Sequence, residues 1–542
     1  MMSGYKTGNT ANLYDEKTGA PIGLIGLDGR EYKSLIDYKK GLTIAILGCS
    51  TVHYGAPKNP VGFATWSIGD TKVAGNTVIP RQVDLSAGFW PHLYYTCMQG
   101  GVVGELEPVW PTTIGETVKD GNVIWQCTDV RTNFDVNDTP AWGVNHWNIA
   151  QQLSGQRLDE IYINGQSGKK CQDILKYLDR AISKNPDVIY LSHMFVNDAG
   201  GVSSLADIQS DWDAFEAAVD KCRAAGIKVM TDTTLPNGAI DVSNPLVPFT
   251  GYTKGNGTKA WNWLNAKLKE LARLRTDVIL WDAAGVYLDP NNASTIGPWP
   301  ENTVTYLVAS GSNNKKTDGV HGYISGMYLL GASLAQVISD NFPKVNRFSM
   351  SKDDWAISIN PLNGGTGTPS APGTGTTAAN MSLASNGTVN SSVCSQVART
   401  DISGNWVQVV YDASAGNTVQ YSNTTGVNVG GNFNVGDKIQ AFGEIKVNAN
   451  PTLLKNVYVA SRCSGGTPGF SNSTKLASTD QDLGQMITVD QVFTLKDLPR
   501  KIPAGTTTIS HYLYAEFRGT SVGTVSFGRL GINKIGAVQA IA

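Results

Sequence analysis

Between residues 40 and 345, apolar runs of β type alternate with stretches of helical period. Residues 42–47, 160–163, 188–191, 228–230 and 278–281 are predicted as strands, and their short apolar runs suit strands covered on both faces. Trp212, Phe215, Val219 and Cys222 recur at +3, +7 and +10 ahead of Gly226, and Trp261, Leu264, Leu268 and Leu271 recur with the same spacing. Each set forms one buried stripe on a helix, the first helix stopping at a glycine. Strands that alternate with helices predict a parallel sheet.

Two regions break this rhythm. About residues 70–135 are rich in Gly, Thr and aromatics and read as an inserted β module within a domain spanning 41–345. Residues 362–377, LNGGTGTPSAPGTGTT, hold too little apolar area to fold alone and set a linker over 346–376. Beyond it, β-rich segments at 406–411, 438–447, 454–459, 486–492 and 509–517, broken by Gly, Asn and Asp, predict an all-β sandwich or jelly-roll-like domain over 377–542. Residues 1–40, with Gly19, Gly23, Gly26 and Gly29, read as turns and short strands that either pack on the α/β domain or attach the chain elsewhere.

The chain has 43 Lys+Arg against 45 Asp+Glu in 542 residues, with no basic block. That leaves no electrostatic footprint for nucleic acid or an anionic membrane surface. No apolar run reaches the ~20 residues of a membrane helix, and the N-terminus lacks the apolar stretch of a signal peptide. Seven scattered cysteines without a Cys-x-x-Cys pair make neither a disulfide framework nor a zinc site. Cys97 and Cys127 flank the inserted module and are even candidates for a bridge; the pairing of Cys394 and Cys463 is open.

The first strand runs into Gly48-Cys49-Ser50. Ligands of open α/β sheets gather at the carboxyl ends of strands, so Ser50 stands where a nucleophile is presented. A serine needs a base, and His321 follows Asp318 by three residues, a spacing that lets the carboxylate hold one ring nitrogen while the other faces a serine. Asn197, in Val196-Asn197-Asp198 after the third strand, is placed to donate its amide to an oxyanion beside the N–H groups of Ser50 and Gly168. His53 is expected to line the cleft, His193 to be a core or loop histidine, and Asp198 to shape its loop. Cys49 is expected to be an inert small apolar residue rather than the nucleophile.

With Asn164-Gly165-Gln166-Ser167-Gly168, these motifs make four blocks in order. In them residues 40–345 resemble the SGNH, or GDSL-like, hydrolases. The resemblance implies a flavodoxin-like, three-layer α/β/α domain, with Ser50 as nucleophile, His321 as base, Asp318 as its orienting partner, and Ser50, Gly168 and Asn197 as the oxyanion hole. It implies ester hydrolysis without metal or organic cofactor. Cys49 departs from the family pattern, which has Asp there, and removes a carboxylate that braces the turn.

The inserted stretch resembles small β modules of phage tail and secreted carbohydrate-active proteins. Its Trp90, Tyr94, Trp110 and Trp125 either stack on sugar rings or form the module's own core. The whole arrangement resembles a bacteriophage tailspike or tail-fibre esterase. That implies an O-acetylated bacterial surface glycan as substrate, a homotrimer, a place in the virion tail, and tail or baseplate partners for the N-terminus. The C-terminal domain would bind glycan or assemble the oligomer.

Overall fold

The computed structural model describes residues 3–7, 10–14, 21–26, 31–32, 42–55, 64–84, 93–130, 145–200, 205–235, 254–287, 324–345, 347, 357–359, 366–367, 373–378, 381–386, 389–401, 405–413, 418–423, 427–430, 433–451, 454–465, 469–472, 484, 486–517 and 521–534. They fall into two compact units, one of residues 43–150 and 160–334, the other of 1–42, 151–159 and 335–542.

The first unit is built on a mixed sheet. Strands β1 (Leu42–Gly48), β2 (Leu158–Gly165), β3 (Val188–Ser192), β4 (Lys228–Asp232) and β5 (Val278–Trp281) lie in the order 5-4-3-1-2. β3 runs parallel to both β1 and β4, and β4 runs parallel to β5. Every residue of β3 is buried, so the centre of the sheet is covered on both faces, as its apolar run predicts. On the outer side of β2 the two-residue strand Val83–Asp84 pairs antiparallel with Tyr162 and Ile163.

The helices include α1 (Ser50–Gly55), α2 (His146–Ser154), α3 (Val196–Gly200), α4 (Leu205–Ala224), α5 (Lys254–Leu274) and α6 (Ile324–Asn341). The predicted stripes are the buried faces of α4 and α5: Trp212, Phe215, Val219 and Cys222 on one, Trp261, Leu264, Leu268 and Leu271 on the other. α4 closes where expected, with Ile227 N–H on the Cys222 carbonyl at 3.0 Å and Gly226 N–H on Arg223 at 2.9 Å.

The inserted module begins earlier than its composition suggests. Its five-stranded sheet takes Thr117–Asp120, Val123–Val130, Leu93–Gln99, Thr77–Ile79 and Ala64–Thr65 in that order. Trp66 and Trp125 are both buried in its core, with Val78, Tyr95, Cys97, Val123 and Cys127. Their indole N–H groups donate to one oxygen of the buried Asp120, at 2.8 and 2.9 Å. Two tryptophans in a small core are tolerated because their polar handles share this acceptor. Cys97 and Cys127 are not joined by a disulfide. The strand register pairs Cys97 with Trp125 and Cys127 with Tyr95, which leaves the cysteines diagonal rather than opposed.

The second unit contains an N-terminal sheet of Ser3–Thr7, Thr10–Tyr14, Pro21–Gly26 and Glu31–Tyr32, each strand antiparallel to the next. Its larger part is a sandwich. One sheet is ordered Gly373–Gly375, Val389–Ala398, Asn405–Ala413, Ser521–Lys534, Lys438–Val447 and Gln491–Lys496; the other is ordered Met381–Asn386, Thr418–Asn423, Thr508–Phe517, Leu454–Ser464 and Gly469–Asn472. Tyr411 of the first meets Phe517 of the second with ring centroids 4.1 Å apart. The strand expected at 486–492 lies instead at Gln491–Lys496. Asp490 is committed to the preceding turn, accepting from Ala449 N–H at 3.0 Å and pairing with Lys446. Cys394 and Cys463 sit in different sheets and are not joined by a disulfide.

The span read as a linker holds paired backbone. Ile357–Ile359 lies on Ser521–Lys534, Thr366–Gly367 on Thr377–Ala378, and Gly373–Gly375 on Val389–Ala398. Ladder hydrogen bonds need only the main chain, so a Gly- and Thr-rich run can join a sheet without apolar side chains of its own. Arg347 is buried and tied to the Gln156 carbonyl at 2.7 Å and to Asp159 at 2.9 Å.

Candidate active site

β1 ends at Gly48, and Ser50 opens α1 two residues later. The strand passes close to β3 here, where Gly48 and Ser192 are register partners. A Cβ on Gly48 would stand 2.4 Å from the Ser192 carbonyl oxygen and 2.5 Å from Val52 Cγ2. Only glycine lets the chain turn into α1 at that distance. Asn145 secures the turn from the other side, donating to the Thr51 carbonyl at 3.3 Å while its own oxygen caps α2 through Asn148 N–H at 2.9 Å.

Ser50 is buried, 2% exposed. Cys49 is fully buried too, its sulfur 3.5 Å from Thr51 Oγ1, and burial pushes its thiol up from the usual range. A thiol held protonated is a poor nucleophile, so Cys49 fills space at the turn. No carboxylate braces this turn through residue 49; Gly48, Asn145 and Thr51 do so instead.

The turns after β2 and β3 are stitched to it. Gln166 N–H donates to the Gly48 carbonyl at 2.8 Å, and the chain then bends through Gly168 at φ +71°, a left-handed conformation that favours glycine. Asn197, half-buried at the start of α3, donates Nδ2–H to the Lys169 carbonyl at 2.8 Å. An amide NH₂ carries two hydrogens, so this bond leaves a second donor. Ser50, Gly168 and Asn197 therefore follow three neighbouring strands at their carboxyl ends, with their turns joined by hydrogen bonds. Strand order 2-1-3-4-5 reverses direction between β1 and β3, the switch point where such sheets bind ligands.

Asp198 shapes this loop, as expected: its Oδ2 accepts from Cys171 N–H at 3.0 Å. Burial first, and the neighbouring Asp211 second, raise its pKa well above the carboxylate range. Asp318, His321, Trp90 and the side chain of His53 lie outside the described residues.

Of the aromatic residues offered as sugar contacts, Trp125 is a correction. It is fully buried, with its indole held by Asp120, so no face is left to stack on a sugar. Trp110 is half-buried against Tyr95, at 4.3 Å between ring centroids, and against Trp125 at 6.0 Å. Tyr94 is half-buried.

A second cluster, missed in the sequence, lies between β3 and β4. His193 is fully buried in a left-handed conformation, φ +49°. Asp232, at the end of β4, accepts from His193 N–H at 2.8 Å, from the His193 Nδ1 side at 2.9 Å and from the Tyr190 hydroxyl at 2.7 Å. His146 packs on His193 with ring centroids 4.6 Å apart, and burial drives its pKa well below the usual value. No sequence signal marks it: Leu191 pairs with Thr231, and only that register brings Asp232, at the end of β4, within reach of His193, 39 positions before it.

The inserted module reaches the same turns through a chain of polar groups. Glu107 is fully buried and accepts from Arg81 N–H at 2.6 Å, Gln82 N–H at 3.0 Å and Trp110 Nε1 at 2.9 Å. Gln82 Oε1 accepts from Arg180 at 2.6 Å and from the Tyr162 hydroxyl at 3.0 Å. Tyr162 accepts from Asn164, whose oxygen accepts from the Gln166 side chain. Burial outweighs the three donors on Glu107 and lifts its pKa from 4.5 to about 7. The folded protein thus keeps a proton there that the unfolded chain has released. Stability from this group is full below the unfolded value and is lost as pH rises to about 7, an effect of about 3 kcal/mol. Melting temperatures between pH 4.5 and 8 should fall more steeply for the wild type than for Glu107→Gln; parallel profiles would contradict this.

No protein-family model matches the chain, and no curated protein matches it. Among solved structures, it is similar to a GDSL-like lipase from Bacteroides thetaiotaomicron, at 17% identity over 34% of this chain and 76% of that one, TM-score 0.25. It is also similar to an acetylxylan esterase from Geobacillus stearothermophilus in a catalytic-mutant form, at 14% identity over 38% and 84%, TM-score 0.27. A third likeness is to the C-terminal family 22 carbohydrate-binding module of Clostridium thermocellum Xyn10B, at 12% identity over 35% and 100%, TM-score 0.22. Likenesses this distant decide neither fold nor chemistry, which rest on the residues themselves.

Proposed function

We propose that the chain is a serine esterase that removes O-acetyl groups from a bacterial surface polysaccharide, on a three-layer α/β/α scaffold of SGNH type. The observation that carries this reading is the convergence of Ser50, Gly168 and Asn197 at the switch point of the sheet, their three turns hydrogen-bonded to one another. Ser50 Oγ attacks the ester carbonyl as His321, oriented by Asp318, takes its proton. The oxyanion is held by the N–H groups of Ser50 and Gly168 and by the Asn197 amide. His321 returns the proton to the leaving sugar hydroxyl, and water repeats the cycle on the acetyl-enzyme. Every step is nucleophilic acyl transfer assisted by proton transfer and by charge stabilisation from side chains and main-chain N–H groups, so the reaction calls for no cofactor.

A tailspike or tail-fibre esterase accommodates the remaining parts. The N-terminal sheet would join a tail or baseplate protein, and the sandwich would bind glycan or hold a homotrimer together. Acetyl is the expected acyl group because O-acetylation is common on such glycans. Acetate release from a panel of O-acetylated capsules and lipopolysaccharides is the test. Release by the wild type alone, with Ser50→Ala inactive, supports the reading; glycan binding without release from any substrate supports a receptor-binding protein on a hydrolase scaffold.

A further inference from the structure

His193 is held in a conformation that stability alone does not recommend. Its backbone is left-handed at φ +49°, a region that few non-glycine residues occupy, and among the described residues its buried Nε2 has no partner. Strain of this kind collects where neighbouring structure over-determines a residue for function. Here the over-determining group is Asp232, which receives both the main-chain N–H and the ring of His193 while Tyr190 fills its other oxygen.

The bend has a direct geometric product. Immediately before it, Ser192 lies against Gly48 in the register that carries the chain into Ser50. Immediately after it, Met194, Phe195 and Val196 turn inward and are buried, Phe195 against Trp212 and Phe215 of α4. Asn197 is the first side chain to emerge. A change in the backbone at residue 193 therefore rotates the short segment that points the Asn197 amide. Lys169 accepts one Asn197 hydrogen and cannot by itself fix the direction of the other.

We propose that His193 and Asp232 are a positioning pair that sets the oxyanion-binding direction of Asn197. This rests on the reading of Ser50 and Asn197 given above. Neither member touches substrate. Asp232 holds the left-handed bend, and the bend aims the amide.

Kinetics on an aryl acetate test it in the full chain, with thermal melts of every variant. Asn197→Ala should lower kcat by about 10²–10³-fold. His193→Val, whose β-branched side chain resists the left-handed region, should lower kcat by about 10–10²-fold with little change in KM. His193→Asn accepts that backbone, can donate to Asp232, and should restore most of the rate. In the double variant His193→Val/Asn197→Ala, kcat should equal that of Asn197→Ala alone, because the pair acts only through that amide. Should His193→Val fail to fold, Asp232→Asn carries the same cycle with side-chain shape retained.

Losses that multiply in the double variant, an unchanged kcat in both His193→Val and Asp232→Asn, or no rescue by His193→Asn would overturn the positioning role while leaving the esterase reading intact. Persistent hydrolysis by Ser50→Ala would overturn the esterase reading itself and the positioning role with it, and a silent Asn197→Ala would remove Asn197 from the oxyanion hole and overturn the positioning role.

Discussion

Ser50→Ala should reduce hydrolysis of an aryl acetate to background, a fall of about 10⁶-fold where a serine nucleophile carries the reaction, with glycan binding retained. Cys49→Ala should keep most of the activity. The two residues are adjacent, small and buried, so a general disturbance of the turn would affect both variants alike. They differ in chemistry. Burial keeps the Cys49 thiol protonated, with its sulfur 3.5 Å from the Thr51 hydroxyl. Ser50 opens α1 beside the Gly168 turn and the Asn197 loop. Steady-state rates of the two variants decide the matter. Near-wild-type turnover in Ser50→Ala, or an equal loss in Cys49→Ala, would remove Ser50 from its assigned role.

Gly48→Ala should damage fold and catalysis together. The new methyl would meet a main-chain oxygen, Ser192 O, at 2.4 Å, and strand atoms cannot swing aside as a side-chain tip can. β1 and β3 must then separate, or the turn into α1 must shift. Overpacking of this kind costs about 1–3 kcal/mol or more. At about 2–4 °C per kcal/mol, that is a drop of about 2–12 °C in Tm. The folded fraction should also turn over about 10²-fold more slowly, since a displacement of about 1 Å at a nucleophile is enough for that. A melt and a kcat measured on the same preparation test both parts; wild-type values for each would show that the close approach is not needed.

What the sequence disclosed and what it hid divide along a physical line. The five strands were legible because burial on both faces makes an apolar run, and the faces of α4 and α5 because one-sided burial leaves a period. Ser50, Gly168 and Asn197 were legible because each follows a strand directly, so local order along the chain becomes proximity at one edge of the sheet. The Asp232 clamp on His193 was hidden because it spans two strands and depends on register, which no short motif records. Trp125 and Trp110 were ambiguous because a ring that packs a small core and a ring that binds sugar are the same residue type. The difference lay in Asp120 and Glu107, which are buried acceptors for those indoles.

The two-residue strand Val83–Asp84 closes one side of the sheet. Among the described residues β2 is otherwise the last strand on its side of the sheet, and a bare outer strand offers a row of main-chain donors and acceptors to any extended chain that drifts past. Val83 and Asp84 occupy that row at Ile163 and Tyr162, and the charged Asp84, paired with Lys184, faces outward where an intruding strand would have to lie. The insertion thus lends the sheet a short, charged hem. Any protein engineered by excising the module while keeping the hydrolase would inherit a raw edge within a few residues of the Gln166 turn, and with it a tendency to aggregate that no loss of sugar binding would explain.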